Sequence, residues 1–127
     1  MGRKQVLKLL ELISVDYHMT GSRYICNPAP MDTDEDYVVL GTDSTEDQLY
    51  FKGFACNTDI ELYKDLPMFT AWRLGEFNVI VTQDGGFYKD FVRATKRAKE
   101  LNLLDKQDRI ELFQKELYGN IPVEIPF

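Results

Sequence analysis

The sequence predicts an α+β fold: one small mixed β-sheet of three to four strands with helices mainly on one face. Three observations carry this prediction. Two β-rich stretches, Tyr37–Leu40 and Met68–Thr82, read as strands, the second folded as a hairpin about Gly75. Two longer stretches, 3–14 and 87–101, repeat apolar residues at the helical period. The chain has 127 residues, 44% apolar and 28% charged, which suits one domain with its own core and is too short for two.

In order, Arg3 to Ser14 reads as a helix with Val6, Leu7, Leu9, Leu10, Leu12 and Ile13 on a broad apolar face. Val15 to Met19 is a short strand that runs into Gly21-Ser22. Pro28 and Pro30 make the next segment a loop, since neither can sit inside a regular helix. After the strand Tyr37–Leu40, Asp43 or Ser44 offers an N-cap for a helix from Thr45 to about Phe54, with Leu49, Phe51 and Phe54 available for the core. Asn57 to Pro67 reads equally as a strand or a turn of helix. In the helix Phe87 to Leu101, Phe87, Phe91, Ala94, Ala98 and Leu101 share one face. A last helix, capped near Asp105, runs to about Tyr118 with Ile110, Phe113 and Leu117 aligned, and Gly119 ends it. The domain is expected over 1–120, and residues 121–127, with two prolines, form a surface tail.

No apolar run is long enough to span a bilayer, and the amphipathic start is not a signal-peptide core, so a cytoplasmic protein is expected. Cys26 and Cys56 lack a second pair for a zinc site; plain thiols suit a reducing cytosol, and a disulfide stays open. His18 is the single histidine, which favours packing or hydrogen bonding over metal ligation. The formal charge of −6 excludes indiscriminate attraction to nucleic acid or anionic membrane.

The chemistry concentrates at Gly21-Ser22-Arg23 and the acidic run Asp32-Thr33-Asp34-Glu35-Asp36 that opens a strand. Strand residues two apart share a face, so Asp34 and Asp36 converge as oxygen ligands for a hard cation. A solvated acidic turn is the plain alternative; the glycine-serine turn upstream tips the balance toward a site. A calcium loop is excluded, because Tyr37 stands where its glycine is required and Asp43 where its bidentate glutamate is.

Gly21-Ser22-Arg23 followed by a strand-borne Asp34-x-Asp36 resembles the signature of the polymerase-beta-like nucleotidyltransferase superfamily. The stretches Arg73–Thr82 and Asn102–Ile110 are similar to short nucleotidyltransferase-like proteins of bacteriophages. The resemblance implies a minimal nucleotidyltransferase fold in which Asp34 and Asp36 hold Mg²⁺ or Mn²⁺, while Gly21, Ser22 and Arg23 contact nucleotide phosphates. It also implies a third acid on the neighbouring strand, to complete the cluster and act as base. That strand offers Glu76 and Asn78, and only Glu76 can accept a proton at neutral pH.

Two functions follow as expectations. The first is a Mg²⁺-dependent nucleotidyltransferase moving a nucleoside monophosphate from a nucleoside triphosphate to a small molecule, a protein hydroxyl or an RNA end. The second is a catalytically inactive protein on the same fold that binds a nucleotide or a partner, as an antitoxin or phage effector does. A chain this short leaves little room to hold the acceptor, so a partner protein or a second copy in a homodimer would supply that platform; a phage-encoded protein would act in the host cytoplasm. Lys89, Arg93 and Lys96 form a stripe on their helix that reads as a solvated face or as a phosphate- or RNA-contacting one. Trp72, within the hairpin, is expected in the core.

Overall fold

A computed structural model describes residues 2–30, 34–56 and 69–118. The elements are α1 (Arg3–Ile13), β1 (Ser14–Thr20), α2 (Ser22–Ile25), β2 (Glu35–Gly41), α3 (Thr45–Phe51), β3 (Ala55–Cys56), β4 (Thr70–Leu74), β5 (Phe77–Thr82), α4 (Gly85–Glu100) and α5 (Lys106–Tyr118). The segment expected as strand or helix turn at Asn57–Pro67, Gly119 and the tail all lie outside the described residues.

Among the described residues the sheet has five strands in the order β1-β2-β5-β4-β3, rather than three to four. β2 and β5 run parallel, and the other neighbouring pairs among the described residues are antiparallel. The additional strand, β3, is two residues long, too short to leave a periodic trace in sequence. The β4–β5 hairpin is the tightest local unit. Gly75, at φ +59°, occupies the turn with Glu76, so Leu74 pairs with Phe77 and Arg73 with Asn78.

Helices cover both faces of the sheet, not mainly one. Val38 and Ile80 pack beneath α4 and α5 with Phe87, Phe91, Ala94 and Phe113. Tyr37, Val39, Val79 and Val81 point the other way and pack with Val6, Leu9, Leu10 and Ile13 of α1 and Leu49 of α3. Strands buried on both sides lose the alternation of apolar and polar residues. The unbroken runs Tyr37-Val38-Val39-Leu40 and Val79-Ile80-Val81 are the signature of that burial.

Helix α1, eleven residues long, is marginal on its own, and burial holds it. Val6 and Leu10 are fully buried, and each such side chain contributes about 1.5–3 kcal/mol. The buried stripe is narrower than the apolar spacing implied, since Leu12 is 84% exposed. Helix α4 starts where Asp84 accepts from the Phe87 amide at 2.8 Å, and Ala94 and Ala98 let its axis approach the sheet. Two residues expected in the core are outside it: Phe51 is 81% exposed, and Leu101 lies past the end of α4 and faces solvent. No helix among the described residues is long and apolar enough to cross a membrane.

Candidate functional site

One row of side chains crosses the sheet near the start of β2. Thr20 pairs with Asp36, Asp36 with Asn78, and Asn78 with Arg73, so four adjacent strands present four polar groups on the face covered by α4. Farther along that face Val38 and Ile80 pack beneath α4, flanked by His18 on β1 and the buried Thr82 on β5. A polar row there is accounted for residue by residue.

Thr20, fully buried, shares a 2.7 Å hydrogen bond with Thr95 of α4, and Thr95 Oγ1 also donates to the Phe91 carbonyl. Asp36 is 5% exposed and hydrogen-bonded by the Asn78 side chain. Burial pushes its carboxyl up to about 7; the Asn78 bond opposes that shift and the nearby Asp34 charge adds to it. Arg73 and Arg23 lower it in smaller measure. Asp34 precedes β2 by one residue, lies half exposed, and pairs with Arg73 Nη1 at 2.8 Å. The i, i+2 spacing thus places both aspartates on the Arg73–Asn78 side.

Gly21 closes the row from below. Its backbone, at φ +75° and ψ −173°, occupies a region open essentially to glycine alone. A Cβ there would fall 2.8 Å from Asp36 Cγ, 2.9 Å from Asp36 Cβ and closer still to Oδ2. The main chain at the glycine-serine turn is therefore packed against the Asp36 carboxylate. Ser22 follows at the start of α2, with its side chain partly exposed.

The residue between the two aspartates points the other way. Glu35, 4% exposed, receives Arg3 Nε at 2.9 Å, Arg23 Nη1 at 3.1 Å and the Tyr37 hydroxyl at 3.0 Å. The Arg3 hydrogen bond outweighs desolvation and holds the Glu35 carboxyl below its ordinary value. The Glu35 amide donates to the Glu76 carbonyl at 2.8 Å, which ties the two strand openings together.

The structure therefore gathers Gly21, Asp34, Asp36 and Asn78 and sets two expected residues apart. Arg23 is engaged with Glu35. Glu76, on the turn and more than half exposed, has its carboxylate 3.7 Å from Arg23 Nη2, while Asn78 holds the register opposite Asp36. Arg73 is the site residue that the sequence motif did not reveal. Its signal was the turn: two residues, Gly75-Glu76, place Arg73 opposite Asn78.

Among the described residues, no three His, Cys, Asp or Glu side chains converge on one point. Two carboxylates and an amide nevertheless form an oxygen-donor set, with Asp36 buried beside a like charge. Such a set suits a Mg²⁺ ion that draws its other ligands from phosphates and water.

The other residues singled out in the sequence lie outside this row. His18 donates from Nδ1 to the Met19 carbonyl at 2.6 Å and meets the Tyr24 ring edge-on. Trp72 packs on the α1-side core and donates to Glu46 at 3.2 Å. Cys26 is buried and Cys56 exposed, and both are free thiols. No protein-family model, no curated protein and no solved structure matches this chain.

Proposed function

We propose that this protein is a Mg²⁺-dependent nucleotidyltransferase-like protein, transferring a nucleoside monophosphate from a nucleoside triphosphate to an acceptor hydroxyl. One observation carries the proposal: a glycine backbone pressed on Asp36, with Asp34 two residues before it and Asn78 in register beside it. In this reading Asp34 and Asp36 hold the cation, which supplies countercharge for the phosphates. On this reading the Gly21-Ser22 N–H groups receive phosphate oxygens, and Arg73 moves from Asp34 to the triphosphate when nucleotide binds.

The acceptor oxygen bonds to the α-phosphorus as the bond to pyrophosphate breaks, and pyrophosphate leaves. Asn78 takes no proton, so the hydroxyl proton passes to Glu76 after it leaves Arg23, or to solvent. Glu76→Gln separates these routes: a fall in transfer with unchanged nucleotide affinity assigns the proton to Glu76. The position of Asn78 favours the second reading, a nucleotide binder without transfer.

Incubation with labelled nucleoside triphosphates, Mg²⁺ and cell lysate tests both readings. Transfer that is lost in the Asp34→Ala, Asp36→Ala double variant supports the enzyme. Nucleotide binding without transfer leaves the binder, and no binding by calorimetry removes the site.

A further inference from the structure

A groove of about 620 Å³ runs along the outer edge of the sheet, between β1 and α4. It exists because β1 ends the sheet and α4 covers only part of its upper face. Lys89, Arg93, Lys96 and Arg97 line it from α4, all exposed. They span nine helical residues, roughly 12 Å from first to last. Asp16 and Glu100 are the acids within it, and the Tyr88 hydroxyl hydrogen-bonds Asp16. Arg93 pairs with Asp90 and Glu116, and Arg97 with Glu100, all exposed or half-exposed pairs of small energetic weight. Lys89 and Lys96 have no ion pair among the described residues. Positive charge is thus gathered on one edge of a chain whose formal charge is −6.

One end of the groove, at His18, borders α2. His18 lines it and touches the Tyr24 ring at 5.1 Å between centroids. Lys99 lies 4.6 Å above the same ring and donates to the Tyr24 carbonyl at 2.7 Å. Tyr24 belongs to α2, two residues after Ser22, and Thr20 beside Gly21 is bonded to Thr95 of α4. The partly exposed His18 ring thus lines the groove, and the Tyr24 ring beside it belongs to the helix that follows Gly21.

We infer that this groove holds a single-stranded polynucleotide whose terminal hydroxyl is the acceptor at the Asp34–Asp36 site. The inference rests on the transfer reading of that site. A row of separate cations suits successive phosphates, as an enclosed pocket would suit a single anion, and rings at its end suit a base. In the step, the terminal oxygen bonds to the nucleotide α-phosphorus, pyrophosphate departs, and the proton leaves as described above.

The test is fluorescence anisotropy of the full chain with a labelled oligouridylate and its DNA counterpart over a salt series, beside transfer assays on the same oligonucleotides. Lys89→Glu with Lys96→Glu is expected to weaken binding about tenfold or more and to flatten its salt dependence. The control is Lys4→Glu with Lys8→Glu, the same charge change at exposed positions on α1, expected to stay within about twofold of wild type. Equal loss in both variants, loss in neither, or displacement by polyglutamate as effective as by oligonucleotide would overturn the groove. Binding intact in the Asp34→Ala, Asp36→Ala variant with transfer gone supports both proposals. Oligonucleotide binding without transfer by wild type overturns the oligonucleotide as acceptor, while the lysate assay alone decides the transfer reading. Transfer to oligonucleotide that ignores Lys89 and Lys96 removes the groove and leaves the enzyme.

Discussion

Glu35 and Asp36 are neighbours on one strand, equally buried, and treated in opposite ways. Glu35 faces the α1 side, where two guanidinium groups and a phenol hydroxyl meet its carboxylate, and its proton affinity falls. Asp36 faces the α4 side, where its partner is an amide and its near neighbour another aspartate, and its proton affinity rises to about 7. Both are 4–5% exposed, yet desolvation is the largest influence on Asp36, whereas at Glu35 the Arg3 hydrogen bond outweighs it. A carboxylate with its countercharges built in serves the fold. One left short of countercharge beside a like charge has room for a cation from outside, and that asymmetry is why the α4 face is read as the site.

The harshest way to break the contrast is Gly21→Ala. Backbone strain at a glycine-only conformation and collision with the Asp36 carboxylate act together. The expected loss is more than about 4 kcal/mol by denaturant unfolding. Combined with Asp36→Ala, which removes Cγ and Oδ2, the loss should shrink by about 1 kcal/mol or more, a coupling that locates the strain at this contact. Strict additivity would place it elsewhere.

Next comes Asp36→Asn, measured without divalent metal. A carboxyl raised from 3.8 to about 7 binds its proton more tightly in the folded state, so it costs stability as pH climbs through that window. The displacement corresponds to a ceiling on the order of 4 kcal/mol above about pH 7. Asp36→Asn should therefore stabilise the protein at pH 8 and have little effect near pH 4, while abolishing Mg²⁺-dependent nucleotide binding. A variant no more stable than wild type at pH 8 would show that Asp36 is already compensated.

Glu35→Gln should do the reverse. A depressed carboxyl contributes stability above its unfolded value, near 4.5, that is lost as pH falls through its folded one. The variant should lose about 3 kcal/mol at pH 7, because Arg23, only 17% exposed, keeps its charge without this partner. Its deficit should narrow on acidification. Nucleotide affinity should change little, since Glu35 points away from the site.

How much of this was legible in the sequence varies with the range of the interaction. The alignment of Asp34 with Asp36, the turn at Gly21 and the pairing across Gly75-Glu76 are local consequences of strand and turn geometry, and residue spacing carries them. The role of Glu35 was not legible: its Arg3 partner is 32 residues away and meets it only once α1 docks. The placement of helices on both faces was encoded in the apolar runs of β2 and β5. It was obscured because buried strands and half-buried ones differ by only a few residues. Phe51 and Leu101 fit helical periodicity yet lie at helix ends, where the chain leaves the core before the period completes.

The smallest expected effect on stability comes from Arg73→Ala, and it bears most directly on function. The Arg73–Asp34 pair is about 40% exposed on both sides, so its loss should cost less than about 1 kcal/mol. Arg73 also restrains the Asp36 carboxyl, so its removal should move the alkaline fall in stability above about pH 7. Two outcomes then separate. If Arg73 reaches the triphosphate, nucleotide affinity falls about tenfold while Mg²⁺ alone binds as well or better, because Asp34 is released. If Arg73 serves only as a built-in countercharge for Asp34, both affinities rise together. The second result would make the Asp36 side a milder version of the Glu35 arrangement, with a cation already supplied by the chain, and would count against metal-dependent transfer.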